Sequence, residues 1–278
     1  MEINYREITL EDRKEVFEII KDSQKRFCEY TFGNMYCWGA QHGMKMCITE
    51  GTLVVGSPEK ARFNYPVGKN AKAVVNELKR TYENCTFSYL SEAEAKDFDA
   101  TEMAGRFDYI YEREKLAELK GKKLAAKRNH INAFLADGEW HTEKITKDNV
   151  SLLYDFNKKW CKNYCDSQNA SLETEMCAVQ KGLDNFEELG YCGLILYKNG
   201  EICAYSYGEP INSDTFCVHV EKADAEVRGA YQMINREFVR TFCEGYLYIN
   251  REDDAGDEGL RRAKLSYYPT DLGRKFRI

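Results

Sequence analysis

The chain has 278 residues, 43% hydrophobic and 31% charged, which is enough apolar material for a packed core and excludes a disordered or fibrous protein. Forty basic against forty-six acidic side chains give a net charge of −6, which argues against a dedicated DNA-binding protein. No run approaches the ~18 uninterrupted apolar residues of a membrane span. The first ten residues are polar, with Glu2, Arg6 and Glu7, so a soluble, cytoplasmic chain is expected. The eleven cysteines are scattered, without a CxxC pair, and read as reduced thiols that are mostly buried. Cys161 and Cys165 sit four apart on an expected helix, but with only His42, His130, His141 and His219 as partners no metal site is expected.

In chain order, residues 3–8 read as a strand and 10–23 as a helix, with Thr9 as N-cap and Val16, Phe17, Ile19 and Ile20 as its apolar stripe. An aromatic segment at 31–38 precedes strands at 45–49, 52–56 and 62–67. A helix over 69–82 carries Ala73, Val74, Leu78 and Tyr82 at helical spacing, and strands are expected at 86–90 and 107–111. From residue 139 the pattern sharpens. A strand at 141–145 is followed by helices at 147–164 and 172–189, the second ended by Gly190. Strands follow at 191–198, 202–209 and 215–221, the first two joined through the hairpin signal Asn199-Gly200. A helix at 228–242, a strand at 246–250 and a helix at 258–267 complete the chain.

The order strand, helix, helix, three antiparallel strands, helix, strand, helix resembles the Gcn5-related N-acyltransferase (GNAT) fold, and the first half reads as a more eroded copy of it. The expected architecture is α+β: two GNAT-like domains in tandem, residues 1–111 and 139–278, with mixed, mostly antiparallel sheets flanked by helices. A basic connecting helix over 112–138 joins them. Its core, residues 120–132, holds five Lys/Arg and His130 with no acid. On a wheel of 100° per residue, Leu124, Ile131, Phe134 and Leu135 set the apolar arc, and Lys127 falls inside it. A cation on a face that should be packed needs a partner or an anionic ligand.

The segments YIYEREKLAELKGKKLAAKRNHINAF (109–134) and YINREDDAGDEGLRRAKLSYYP (248–269) resemble a bacterial family similar to the C-terminal catalytic domain of lysylphosphatidylglycerol synthases. Its members are tandem GNAT-fold proteins bridged by a positively charged helix. The synthases move an aminoacyl group from aminoacyl-tRNA to a lipid headgroup, and FemABX peptidyltransferases share the design. The resemblance implies that the basic helix lies beside a cleft shared by both halves. It also implies acyl or aminoacyl transfer from a donor such as aminoacyl-tRNA to an amine or hydroxyl acceptor, small or headgroup-like. An acyl-CoA donor is disfavoured. GNAT enzymes cradle the CoA pyrophosphate on a [Q/R]xxGx[G/A] turn at a helix N-terminus. Here the turn reads Glu226-Val227-Arg228-Gly229-Ala230-Tyr231, whose acid repels and whose tyrosine crowds a pyrophosphate. A CoA-dependent N-acyltransferase and a non-catalytic ligand- or RNA-binding module stay open as alternatives.

Candidate catalytic residues are Arg251 and Glu252, in a charged loop after a strand, and His219, expected to point to the same side of its strand as Glu221. A carboxylate there is a candidate general base towards an amine. Candidate donor- or substrate-binding residues are Lys122, Lys123, Lys127, Arg128 and His130 on the basic helix, and Arg228 and Gly229 at the altered turn. Arg261 and Lys264, three apart on one helix face and suited to a phosphate or carboxylate, and Tyr267 complete the set.

Overall fold

A computed structural model describes residues 3–23, 25–164 and 170–278. Its elements, in chain order, begin with α1 (Arg13–Ile20), α2 (Phe32–His42), β1 (Lys45–Thr49), β2 (Thr52–Ser57), β3 (Arg62–Asn64), β4 (Val67–Gly68), α3 (Ala71–Thr81), β5 (Thr86–Leu90), α4 (Glu92–Ala95), β6 (Thr101–Glu102) and β7 (Asp108–Glu112). Next come α5 (Arg113–Glu118), α6 (Ala125–Ala136), β8 (Trp140–Lys144), α7 (Leu152–Tyr164), α8 (Ala170–Asp184) and β9 (Cys192–Lys198). The chain ends with β10 (Glu201–Pro210), β11 (Thr215–Ala223), α9 (Ala230–Phe242), β12 (Tyr248–Asn250), α10 (Glu258–Leu265), β13 (Asp271–Gly273) and β14 (Phe276–Arg277).

Two mixed sheets flanked by helices result, as expected for GNAT-like units in tandem. The first runs β1-β2-β3-β5-β14-β6, with β4 beside β2, and the second β13-β7-β12-β11-β10-β9-β8. Each contains one parallel pair, β3 with β5 across α3 and β11 with β12 across α9. The same strand–helix–parallel strand unit therefore occurs once per sheet. The sheets also exchange strands. β7, from the first half of the chain, pairs with β12 and β13 in the second sheet. β14, the last strand, pairs with β5 and β6 in the first.

Apolar burial explains where most elements sit. α9 turns Met233, Ile234, Phe238 and Val239 into a core shared with Phe134 of α6 and Phe216 of β11, each fully buried large side chain contributing about 1.5–3 kcal/mol. A second core crosses between the halves: Val16, Phe32 and Met35 pack in one cluster with Leu153, Leu183, Tyr191 and Tyr207.

Some expectations are corrected. Residues 3–8 form only a bridge between Arg6 and Met46, while Thr9 is the expected N-cap and makes a capping box with Asp12. The aromatic segment is a helix, α2, with Thr31 accepting from the Asn34 backbone N–H at 3.3 Å. The basic connecting segment is two helices, α5 and α6. They are broken where Leu119 (φ 51°) and Gly121 (φ 87°) take left-handed conformations.

Candidate functional site

The site forms where β11 and β12 part. They pair only from Thr215–Tyr248 to Cys217–Asn250, and beyond that the loop after β12 and the far half of β11 diverge. On its other edge β11 is bulged. Tyr207 of β10 pairs with Val220 but Gly208 with Val218, which leaves His219 as the extra residue. Gly208 permits this approach, since a Cβ there would lie 1.9 Å from the Cys217 carbonyl oxygen. The bulge breaks the alternation: Val218 packs in the α9 core and Val220 in the other. His219 and Glu221 consequently belong to different groups, contrary to the expectation that they share one side.

His219 is buried between two carboxylates. Its Nε2 lies 3.0 Å from Glu209 Oε1 of β10, and its Nδ1 2.8 Å from Glu252 Oε1. The first turn of α2 holds both acids: the Gly33 backbone N–H donates to Glu209 Oε1 at 2.7 Å, and Asn34 Nδ2 donates to Glu252 Oε1 at 2.9 Å. Cys217 Sγ is 3.6 Å from His219 Nδ1 and 3.8 Å from Glu252 Oε1. Burial alone would push the imidazole down, but the Cys217 sulfur and the carboxylates of Glu209 and Glu252 hold it well above its ordinary value. Burial acts the other way on Glu252 and raises it, but the hydrogen bond and charge of His219 and the Asn34 hydrogen bond more than reverse that, bringing it below the usual carboxylate range. The Cys217 thiol is pushed up to about 12, chiefly by burial. Of the carboxylate–imidazole group, His219 and Glu209 are 5% exposed and Glu252 27%, so Glu252 is its opening to solvent.

α10 holds the loop that carries Glu252. Lys264 Nζ donates to the Arg251 carbonyl at 2.6 Å and to the Asp253 carbonyl. Arg261 grips Asp254 through two hydrogen bonds of 2.8 and 3.1 Å. The Glu252 backbone N–H donates to Asn250 Oδ1 at 2.6 Å, and Glu252 itself takes φ 57°, a left-handed conformation few non-glycine residues adopt.

Next to Glu252 lies a group of cations. Arg251 Nη2 donates to Glu221 Oε1 at 2.8 Å, while Asn235 of α9 donates to the other Glu221 oxygen at 2.7 Å. Among the described residues, Arg251 Nη1 is buried without a hydrogen-bond partner. The Arg251 guanidinium and the Lys127 ammonium both lie against Tyr267, at 4.9 and 4.2 Å from the ring centre. Lys127 is half-buried, as its place in the apolar arc implies. Burial and then Arg251 push its pKa down, an arrangement that an incoming anion would relieve.

The other expected residues have other surroundings. Lys122, Lys123 and His130 are exposed on the basic segment, the Lys123 ammonium 5.3 Å from the Tyr268 ring centre. Arg128 is spent on the chain itself, donating to the Leu119 and Gly121 carbonyls at 2.5 and 2.7 Å across the helix break. Arg228 is exposed. Gly229 (φ 88°) serves packing, since a Cβ there would lie 2.3 Å from the His130 carbonyl oxygen, so α6 covers the start of α9. Arg261 and Lys264 are paired with the loop instead of waiting together for a phosphate. Of the Cys161/Cys165 pair, Cys165 lies outside the described residues.

Sequence reasoning missed Glu209, Cys217, Gly33 and Asn34. A carboxylate ending the apolar run of β10 and a cysteine two residues before His219 were the available signals, and Gly33 and Asn34 had none. Among the described residues, two groups of metal-ligating type have donor atoms all within 4.8 Å of one another: Cys217, His219 and Glu252, and Cys28, Glu29 and Asp108. No described helix is long and apolar enough to cross a membrane.

Residues 20–278 match the family model for the C-terminal region of phosphatidylglycerol lysyltransferase. A conserved protein of unknown function from Bacteroides thetaiotaomicron is 39% identical in sequence, covers 99% of both chains and superposes with a TM-score of 0.94. L-PGS from Bacillus licheniformis is 15% identical over 98% of this chain and 92% of its own, with a TM-score of 0.66, and so shares the fold. An uncharacterized protein of Mycoplasmoides gallisepticum, MYCGA3080, is 26% identical over 174 residues, 62% of this chain and 55% of that protein. The chain thus spans about half the length of that curated relative. With 259 of its 278 residues matched, the chain belongs to the phosphatidylglycerol lysyltransferase C-terminal family.

Proposed function

We propose that this protein is an aminoacyltransferase that takes an aminoacyl group from aminoacyl-tRNA and passes it to a hydroxyl or amine acceptor. The observation that carries the reading is the unpartnered Arg251 Nη1 beside Lys127, one residue from the solvent-reaching carboxylate of Glu252. The two cations bind an anionic group of donor or acceptor, a phosphate at the tRNA end or in a headgroup. Glu252, backed by His219, takes the proton of the attacking oxygen or nitrogen. The acceptor atom bonds to the acyl carbon, the ester bond to the tRNA ribose breaks, and the ribose oxygen leaves as a hydroxyl after receiving a proton. Such direct attack needs orientation, charge stabilisation and a proton route, and no covalent enzyme intermediate. The cover of α6 over the first turn of α9 disfavours a CoA pyrophosphate at that turn and so favours aminoacyl-tRNA over acyl-CoA.

The test incubates the purified chain with aminoacyl-tRNAs carrying a labelled amino acid and with phosphatidylglycerol micelles or small polyols and amines. Label is expected to leave the tRNA for one acceptor, and Glu252→Gln to slow transfer ~10²–10⁴-fold. Consumption of acetyl-CoA with no release from any tRNA would overturn the reading in favour of a CoA-dependent acyltransferase. Salt-sensitive tRNA binding without turnover of any donor would overturn it in favour of a binding module.

A further inference from the structure

We propose that Cys217 Sγ, His219 Nδ1 and Glu252 Oε1 form a binding site for one divalent transition-metal ion of the zinc type, with a fourth coordination position open. The three atoms are 3.6, 3.8 and 2.8 Å apart. A circle through points so spaced has a radius of about 2.0 Å, where zinc holds imidazole and carboxylate at ~2.0–2.2 Å and thiolate at ~2.3 Å. An ion slightly out of the plane of the three donors therefore reaches all of them without a backbone shift.

The surroundings fit the ion as well as the donors do. A metal-bound imidazole characteristically donates its second ring N–H to a carboxylate, which fixes the ring and raises its basicity. His219 Nε2 faces Glu209 Oε1 at 3.0 Å, and Glu209 is itself fixed by the Gly33 N–H. The contacts of the Glu252 carboxylate with Asn34, Cys217 and His219 all fall on Oε1, which leaves Oε2 outside the ligand set. Three protein ligands with an open position are the pattern of catalytic zinc sites, whereas structural ones close all four. Binding sends the thiol proton and the Nδ1 proton to solvent, and the ion replaces them.

The second donor cluster of the molecule supplies a control. Cys28, Glu29 and Asp108 surround the ammonium of Lys275, which lies 2.7 Å from Asp108, 2.8 Å from Glu29 and 3.9 Å from Cys28 Sγ. That cluster already holds its cation. At Cys217, His219 and Glu252 no lysine or arginine enters among the described residues; the positive charge there sits on the His219 ring, between Glu209 and Glu252, so a metal ion displaces protons and not a side chain. The donors sit on one strand and on a loop 33 residues later, a spacing that matches no metal-binding sequence motif.

The test is independent of transfer activity, so its failure and that of the transferase reading are separable. Chelator-treated full-length protein is titrated with cobalt(II). One equivalent is expected to give intense tetrahedral d–d bands and a near-ultraviolet sulfur-to-cobalt charge-transfer band, both abolished by zinc. Cys217→Ser should lose the charge-transfer band. Glu209→Gln, which removes no ligand, should weaken cobalt binding ~10–100-fold with the circular-dichroism spectrum unchanged. That variant decides the matter even if Cys217→Ser fails to fold. No saturable band at one equivalent, a charge-transfer band that persists in Cys217→Ser, or an unaltered affinity in Glu209→Gln would overturn the proposal.

Discussion

Two buried polar clusters, one around Lys275 and one around His219, differ in what neutralises them. Around Lys275, Asp108 accepts from the ammonium, from the Cys28 backbone N–H at 2.9 Å and from Asn250 Nδ2 at 2.8 Å. Lys275 and Asp108 are both 0% exposed. Burial, opposed by Lys275, pushes Glu29 up to about 7. Lys275 stands between β13 and β14, where the last strand leaves the second sheet for the first, so this cluster bolts the strand exchange. Around His219 the same donor types are gathered, but the charge that faces the carboxylates is the imidazole's own, and one of those carboxylates, Glu252, reaches solvent. A closed cluster stabilises and an open one is available for chemistry.

The comparison breaks most visibly at Lys275. Lys275→Met leaves Asp108 as an uncompensated buried charge, which should cost about 3–5 kcal/mol of unfolding free energy in urea denaturation. A loss below ~1 kcal/mol would mean that the lysine is incidental to the exchange. Next is Gly33→Ala. Its Cβ would lie 2.0 Å from Tyr191 Oη and 2.5 Å from Glu209 Oε1. Overpacking of this kind costs about 1–3 kcal/mol, against ~1 kcal/mol gained from helix propensity. The variant should melt lower and shift the His219 ring nitrogens in ¹⁵N NMR; a higher melting temperature with unmoved resonances would refute the close approach. At Glu252 the sharper contrast is expected. Glu252→Gln keeps the shape and lies at the open end, so stability should change by less than ~1.5 kcal/mol while transfer falls as given above. Equal losses of stability and activity would make the two clusters alike.

How far these regions were legible in the sequence depends on what periodicity reports. Apolar spacing located α3, α9 and the three strands of the second half, because each buries one face. It missed α2, where Gly33 and Gly39 are poor helix formers and burial of Phe32, Met35 and Cys37 against the other half supplies the stability. It joined α5 to α6 although Gly121 stands at the break. Alternation placed His219 with Glu221 because a bulge adds one residue without changing the pattern around it, and Gly208, on the neighbouring strand, was the only trace. Strand exchange is invisible to periodicity, which names a strand and not its partner. Of the site, Arg251 and Glu252 were legible as charges in a loop after a strand, and the inward-facing Lys127 as a cation on a face that should be packed. Glu209, Cys217 and Asn34 were not, because their proximity to His219 is created by the topology.

The smallest effect is expected at the brace behind Glu252. Arg261, through its hydrogen bonds, with a further bond from Tyr109 Oη at 2.6 Å, holds the Asp254 carboxyl down at about 2. A carboxyl that titrates lower folded than unfolded stabilises the fold in full above the unfolded value, near pH 4, and gives that stability up as the pH falls towards 2. Arg261 is 43% exposed, so solvent screens the pair and the gain is small. Melting curves of wild type and Arg261→Gln should therefore differ by a small, constant amount from pH 7 to 4 and converge below it. If the gap persisted into acid, Arg261 would act through packing of its stem on the loop and not through its charge. Tight coupling of this brace to the open cluster would show as a loss of transfer at pH 7 in Arg261→Gln larger than its stability change accounts for, because the loop held by Asp254 is the one that aims Glu252 at His219.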